Sequence, residues 1–179
     1  MKTRTIFTTA AACVLLFLAG CGAPRVNTGS VSPASGAAPS SAAAADAKQV
    51  PTWGQRYTWP NGVAIEVGQP ATCKPGKYAQ PPGIERAVTV AVTVVNSSDK
   101  PFDAALLSVA NATFAGAHAE SVFDSGGKCA NSTMEAGTVL PGKTLKLNMS
   151  YSVGKEPGEL QIELQPDFIG DKAVFVGQA

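Results

Sequence analysis

Few residues in this chain have the chemistry to act as nucleophile, base or metal ligand. There are four cysteines (Cys13, Cys21, Cys73, Cys129), one histidine (His118) and three methionines. A serine or cysteine nucleophile needs a base beside it, usually histidine, and His118 is the only candidate. It sits among small residues in "GAHAES", so it is expected on a loop or strand at the surface or half-buried, with no catalytic role. Zinc or copper would need several His, Cys or Met ligands. Beyond the first 21 residues only His118, Met134 and Met149 accompany the pair Cys73 and Cys129. Met149 falls on the apolar side of an alternating run and reads as core. Calcium could draw on Asp124, Asp167 and Asp171 with backbone carbonyls, but no loop has the acidic density of a calcium motif. These read as ordinary loop acids. No catalytic residue, metal or cofactor is expected, and the chain is read as not an enzyme.

Cys21 stands at the end of a different pattern. Lys2 and Arg4 are the only charges before Arg25, and "AAACVLLFLA" from Ala10 to Ala19 is nearly all apolar. A basic start, a short apolar core and a small-residue exit make a secretory signal peptide. The run of about ten residues is half of what a membrane-spanning helix needs. Leu18-Ala19-Gly20-Cys21 resembles the lipobox of bacterial lipoproteins. That resemblance implies a diacylglyceryl group on the Cys21 thiol and cleavage before it, so that residues 1–20 are lost. Two acyl chains, at about 0.8 kcal/mol per buried methylene, hold a protein stably on a bilayer. The expectation is therefore a chain tethered to the outer face of a cell membrane and not spanning it. An ordinary secreted protein with a chance cysteine is the alternative.

Charge narrows the partners. The chain carries 14 basic and 13 acidic residues; without Lys2 and Arg4 the balance is 12 against 13, or −1. This lacks the electrostatic footprint of a nucleic-acid binder, and no nucleic-acid partner is expected. In an oxidising compartment the even pair Cys73 and Cys129 favours a disulfide; a metal pair would need further ligands. Both cysteines lie in loop-like sequence, "QPATCKPGK" and "SGGKCANS", which predicts a staple between loops at the edge of the fold.

Composition then divides the chain. Residues 21–50 are Ala, Ser, Pro and Gly with few apolar anchors and read as a disordered tether. Residues 51–179 are of single-domain size and are dominated by a two-residue period. Val88, Val90, Val92 and Val94 alternate with Thr89, Ala91, Thr93 and Val95; Leu145, Leu147, Met149, Tyr151 and Val153 alternate with Lys146, Asn148, Ser150 and Ser152. Val63, Ile65 and Val67 form a third such run, Leu160, Ile162 and Leu164 a fourth, and "KAVFVG" a last strand. Further strands are predicted near 106–110, 112–115 and 119–124. Pro-Gly, Asn-Gly and Ser-rich turns separate them. Strands with one apolar and one wet face, separated by frequent turns, predict an all-β, immunoglobulin-like antiparallel β-sandwich, preceded by the signal peptide and the disordered linker.

Four segments, "AVTVAVTVVNSSDKPFDAALLSV", "GAHAESVFDSGGKC", "VLPGKTLKLNMSYSV" and "ELQIELQPDFIGDKAVFVG", resemble actinobacterial surface lipoproteins of unknown function. That group has an immunoglobulin-like domain and is related to a secreted mycobacterial immunoprotective antigen. The resemblance implies a β-sandwich outside the cell and brings no catalytic residues. Trp53, Tyr57 and Trp59 cluster at the domain's start and are read as covering one end of the sandwich, with stacking on a sugar or peptide as the alternative. Asn96, Asn111, Asn131 and Asn148 head Asn-x-Ser/Thr triplets, from which no glycosylation is read in a bacterial lipoprotein. The function expected is a lipid-anchored, extracellular, non-enzymatic binding module whose ligand is unknown, with a protein or cell-wall partner. The loops near Cys73 and Cys129 are the first place to look for contacts. An accessory subunit of an envelope enzyme, a glycan-binding protein and a purely structural or antigenic surface protein are the alternatives.

Overall fold

The computed structural model describes residues 29–34 and 50–179, with only the backbone of Ala110. The signal peptide and the lipobox cysteine Cys21 lie outside the described residues, as do residues 22–28 and 35–49 of the expected tether.

Two antiparallel sheets enclose one core. The first contains β1 (Ser30–Pro33), β2 (Gln55–Thr58), β3 (Val63–Val67), β5 (Arg86–Asn96) and β10 (Thr144–Val153), hydrogen-bonded in that order. The short β4 (Ala71–Cys73) follows β3 along the same side of β5. The second sheet runs β12 (Ala173–Gln178), β11 (Glu159–Gln165), β7 (Ser108–Phe114), β8 (Ala117–His118). A two-residue pair, β6 (Phe102–Asp103) with β9 (Thr138–Val139), closes one end. With β3, β5 and β10 on one side and β7, β11 and β12 on the other, the arrangement is that of an immunoglobulin-like sandwich.

The alternation that predicted the strands is the one that builds the core. Val88, Val90, Val92 and Val94 are buried, facing Leu160, Ile162, Leu164 and Phe175 of the other sheet within one cluster. Leu147, Met149, Tyr151 and Val153 join them from β10. Tyr57 and Trp59 are buried there too, their rings edge to face at 5.4 Å. Trp53 is half-buried and donates its indole N–H to the Gln178 carbonyl at 2.9 Å. The aromatic cluster is thus part of the framework.

Four expectations are corrected. The region read as a disordered tether contributes β1, whose residues pair one to one with β2 from Ser30 opposite Thr58 to Pro33 opposite Gln55. The strands expected at 106–110 and 112–115 are one strand, β7, entered through a single 3-10 turn at Ala104–Leu106 that Asp103 caps by accepting from the Ala105 N–H. Segment 119–124 makes no strand of its own. Its bridges are Ser121 with Tyr151 and Phe123 with Gln80. Cys73 ends a strand, where a loop was expected.

Candidate functional site

The site is built on the outer face of the first sheet. Because side chains alternate along a strand, Ala87 points away from the core that Val88 enters. Cys73 lies opposite Ala87 in register and shares that outer face. Two loops, 74–85 and 119–132, meet there. Ala87, Val122 and Cys129 are buried together, with Cys73, Ala79 and Ile84 packed against them. This is a second, small core outside the sandwich.

The second loop also covers the free edge of β10, which would otherwise offer unpaired backbone groups to another chain. Val122 N–H donates to the Ser150 carbonyl, Ser152 N–H to Glu120 (both 2.8 Å), and Ser132 N–H to Asn148 (3.0 Å). Ser150, on the outward side of its strand yet fully buried, donates from Oγ to the Ala130 carbonyl at 3.2 Å.

Three ties lock the two loops to each other. The Cys73–Cys129 disulfide joins residues 56 apart in sequence with Cα atoms 5.4 Å apart. In the chain-entropy description a loop of that length stabilises by about 4 kcal/mol. Gln80 and Phe123 exchange backbone hydrogen bonds of 2.9 and 2.8 Å. Asp124, only 6% exposed, accepts on Oδ2 from the Gly76 N–H (3.1 Å) and the Cys129 N–H (3.2 Å). Glycine is required around this carboxylate: a Cβ at Gly127 would collide with it, and one at Gly76 would lie 2.6 Å from Oδ1. Asp124 is therefore a knot between loops.

On this stapled cap two aromatic rings face solvent. Tyr78 is 82% exposed and Phe123 52%. The Lys77 ammonium lies 5.3 Å from the centre of the Tyr78 ring. Between the rings is a recess of about 370 Å³ whose lining includes Gln80, Asp124 and Gly126. A second, of about 450 Å³, follows loop 74–84 past Lys74, Pro81 and Ile84. A third adjoins Phe123, where His118, Glu120 and Ser121 meet Pro81. Such a surface offers apolar area, backbone amides and the lysines Lys74 and Lys77.

The residues singled out from sequence separate clearly. Cys73 and Cys129 are bonded at the centre of the cap. His118 is exposed at the end of β8, near Glu120 and Ser121. Asp124 is buried in the cap, whereas Asp167 and Asp171 lie in the β11–β12 turn at the other end. Among the described residues no three His, Cys, Asp or Glu side chains gather as a metal site. Met149 is core and Met134 is exposed. Sequence reasoning did not single out Tyr78 and Phe123. Tyr78 carried a signal, a large aromatic in the turn-rich "KPGKYAQPPG"; Phe123 was hidden in a stretch that alternates like a strand.

No protein-family model and no curated protein matches the chain. Among solved structures it is similar to the yjhA protein from Bacillus subtilis, at 14% identity and a TM-score of 0.43, covering 70% of this chain and 97% of that one. It is also similar to an uncharacterized beta-sandwich protein from Clostridium difficile, at 12% identity and a TM-score of 0.37, covering 65% and 85%. A FixG-related protein from Vibrio parahaemolyticus follows at 12% identity and a TM-score of 0.34, covering 65% and 94%.

Proposed function

We propose that this chain is a non-enzymatic, extracellular binding module of the surface-lipoprotein kind, held on the cell membrane by a diacylglyceryl group on Cys21. Its stapled cap contacts a protein or cell-wall partner. One observation carries the reading: two large aromatic side chains, Tyr78 and Phe123, stand exposed on loops that a disulfide, a backbone bridge and a buried carboxylate hold rigid. Exposed aromatics supply most of the energy at contact surfaces, and ordering their loops in advance removes entropy that binding would otherwise cost.

The test is photo-cross-linking in intact cells, with a benzophenone amino acid replacing Tyr78 in one full-length variant and Lys146, exposed on β10, in another. The reading expects a discrete envelope adduct from position 78 that is lost when Phe123→Ala is added. Equal adducts from both positions, or none from position 78, would remove the cap from consideration.

A further inference from the structure

We propose that the end of the sandwich carrying the β11–β12 turn rests on the lipid surface, with Phe168 and Ile169 entering the headgroup region. The proposal depends on Cys21 being the lipid anchor.

The path of β1 supplies the geometry. Ser30 lies opposite Thr58, and the Gly29 N–H donates to the Tyr57 hydroxyl at 2.5 Å. The chain leading back to Cys21 therefore leaves the body beside Thr58. The next residue, Trp59, donates its indole N–H to the Asp171 carbonyl at 2.7 Å, so the β11–β12 turn is at the same end. Gly29 stands eight residues after Cys21. Fully extended, those eight residues reach at most about 29 Å. The body is longer: β5 alone has 11 residues, about 36 Å at strand spacing. An anchor that short cannot stand the molecule on its opposite end. It keeps the Gly29 end next to the bilayer.

That end is built for lipid contact. Phe168 is 78% and Ile169 95% exposed. They are consecutive, at the tip of a turn in which Asp167 Oδ1 accepts from the N–H groups of Ile169 (3.0 Å) and Gly170. The turn is thus closed by its own hydrogen bonds and does not fold its apolar pair inward. Leu140 is also exposed, in a turn tied to the end of β5 by the Gly142 N–H to Asn96 carbonyl bond of 2.8 Å. Lys100 and Lys143 are exposed in neighbouring turns, positioned for lipid phosphates. Apolar side chains that are poorly placed in water, with lysines in other turns of the same end, suit the interface between headgroups and acyl chains. The stapled cap, joined to β5 at Ala87, nine residues from Asn96, is then turned away from the membrane.

The experiment uses the full, lipid-modified chain in vesicles of equal parts phosphatidylcholine and phosphatidylglycerol. Ile169→Cys and Ser125→Cys variants each carry an environment-sensitive fluorophore, and nitroxide-labelled lipids serve as quenchers. The proposal predicts several-fold stronger quenching at position 169 than at position 125 on the cap. Equal quenching at both positions in chains that float with the vesicles would overturn it and leave the anchor intact. Chains that fail to float, with a mass showing no lipid on Cys21, would overturn the anchor and the proposal together.

Discussion

Asn96 is a sharp test of how the sandwich end is held. It closes β5 and is fully buried. Its Nδ2 donates to the carbonyls of Lys100 (2.7 Å) and Val139 (2.8 Å), while Oδ1 accepts from the Ser98 N–H (3.0 Å) and Ser98 Oγ (2.6 Å). One side chain thereby ties β5, the following turn and β9. Asn96→Asp keeps the shape, removes both donated bonds and sets a carboxylate oxygen against two carbonyl oxygens. The Lys100 carbonyl can turn to water, at a loss of about 1 kcal/mol; the buried Val139 carbonyl keeps its partner Phe102 across the β6–β9 pair but faces a buried carboxylate oxygen in place of a donor, at about 2 kcal/mol. The expected total is about 3 kcal/mol at neutral pH, or roughly 10 °C in Tm for a domain of this size. The loss also depends on pH. A buried carboxyl facing carbonyl oxygens has its pKa raised above the unfolded value of about 3.9. Below that value both states are protonated, and the acid can restore one donated bond. As pH rises, the unfolded state ionises first and stability falls until the folded acid ionises as well. Urea unfolding of the full chain with its disulfide intact, near pH 3.5 and at pH 7, measures both quantities. A loss below about 1 kcal/mol at pH 7, or a gap from wild type that is the same at both pH values, would refute the reasoning.

Asp124→Ala removes two charge-assisted bonds to the Gly76 and Cys129 amides. Native-state hydrogen exchange should show faster exchange at those two amides, by roughly two orders of magnitude for about 3 kcal/mol, with the β5 core amides slowed as in wild type. Tyr151 is buried in the core, where its hydroxyl donates to the Met149 sulfur at 3.6 Å, and burial pushes its pKa up. Below pH 10 it is neutral in both states. Above pH 10 only the unfolded state ionises, so stability falls by about 1.4 kcal/mol per pH unit. Tyr151→Phe should flatten that part of the alkaline stability profile.

The long strands were legible because their burial is periodic. Val88 to Val94, Leu147 to Val153 and Leu160 to Leu164 each show one apolar residue in two, and no other element satisfies that period. β1 was not legible for the opposite reason. "SVSP" offers only Val31 to the core, half-buried, and is held by backbone pairing along an edge, where Pro33 is tolerated. The cap was half legible. The cysteine pair pointed to the two loops, but the 119–124 segment alternates like a strand while making only isolated bridges, to Tyr151 on β10 and to Gln80 in the other loop. Exposure of Tyr78 and Phe123 follows from how the loops fold over Ala87, a tertiary contact without local signature.

The central claim is a module anchored at Cys21 with a stapled cap, and intact mass spectrometry of the protein from its native membrane tests it most directly. The account predicts a chain beginning at Cys21 that carries a diacylglyceryl group and gains two hydrogens when Cys73–Cys129 is reduced. A chain that retains residues 1–20, or that begins elsewhere without lipid, would contradict it.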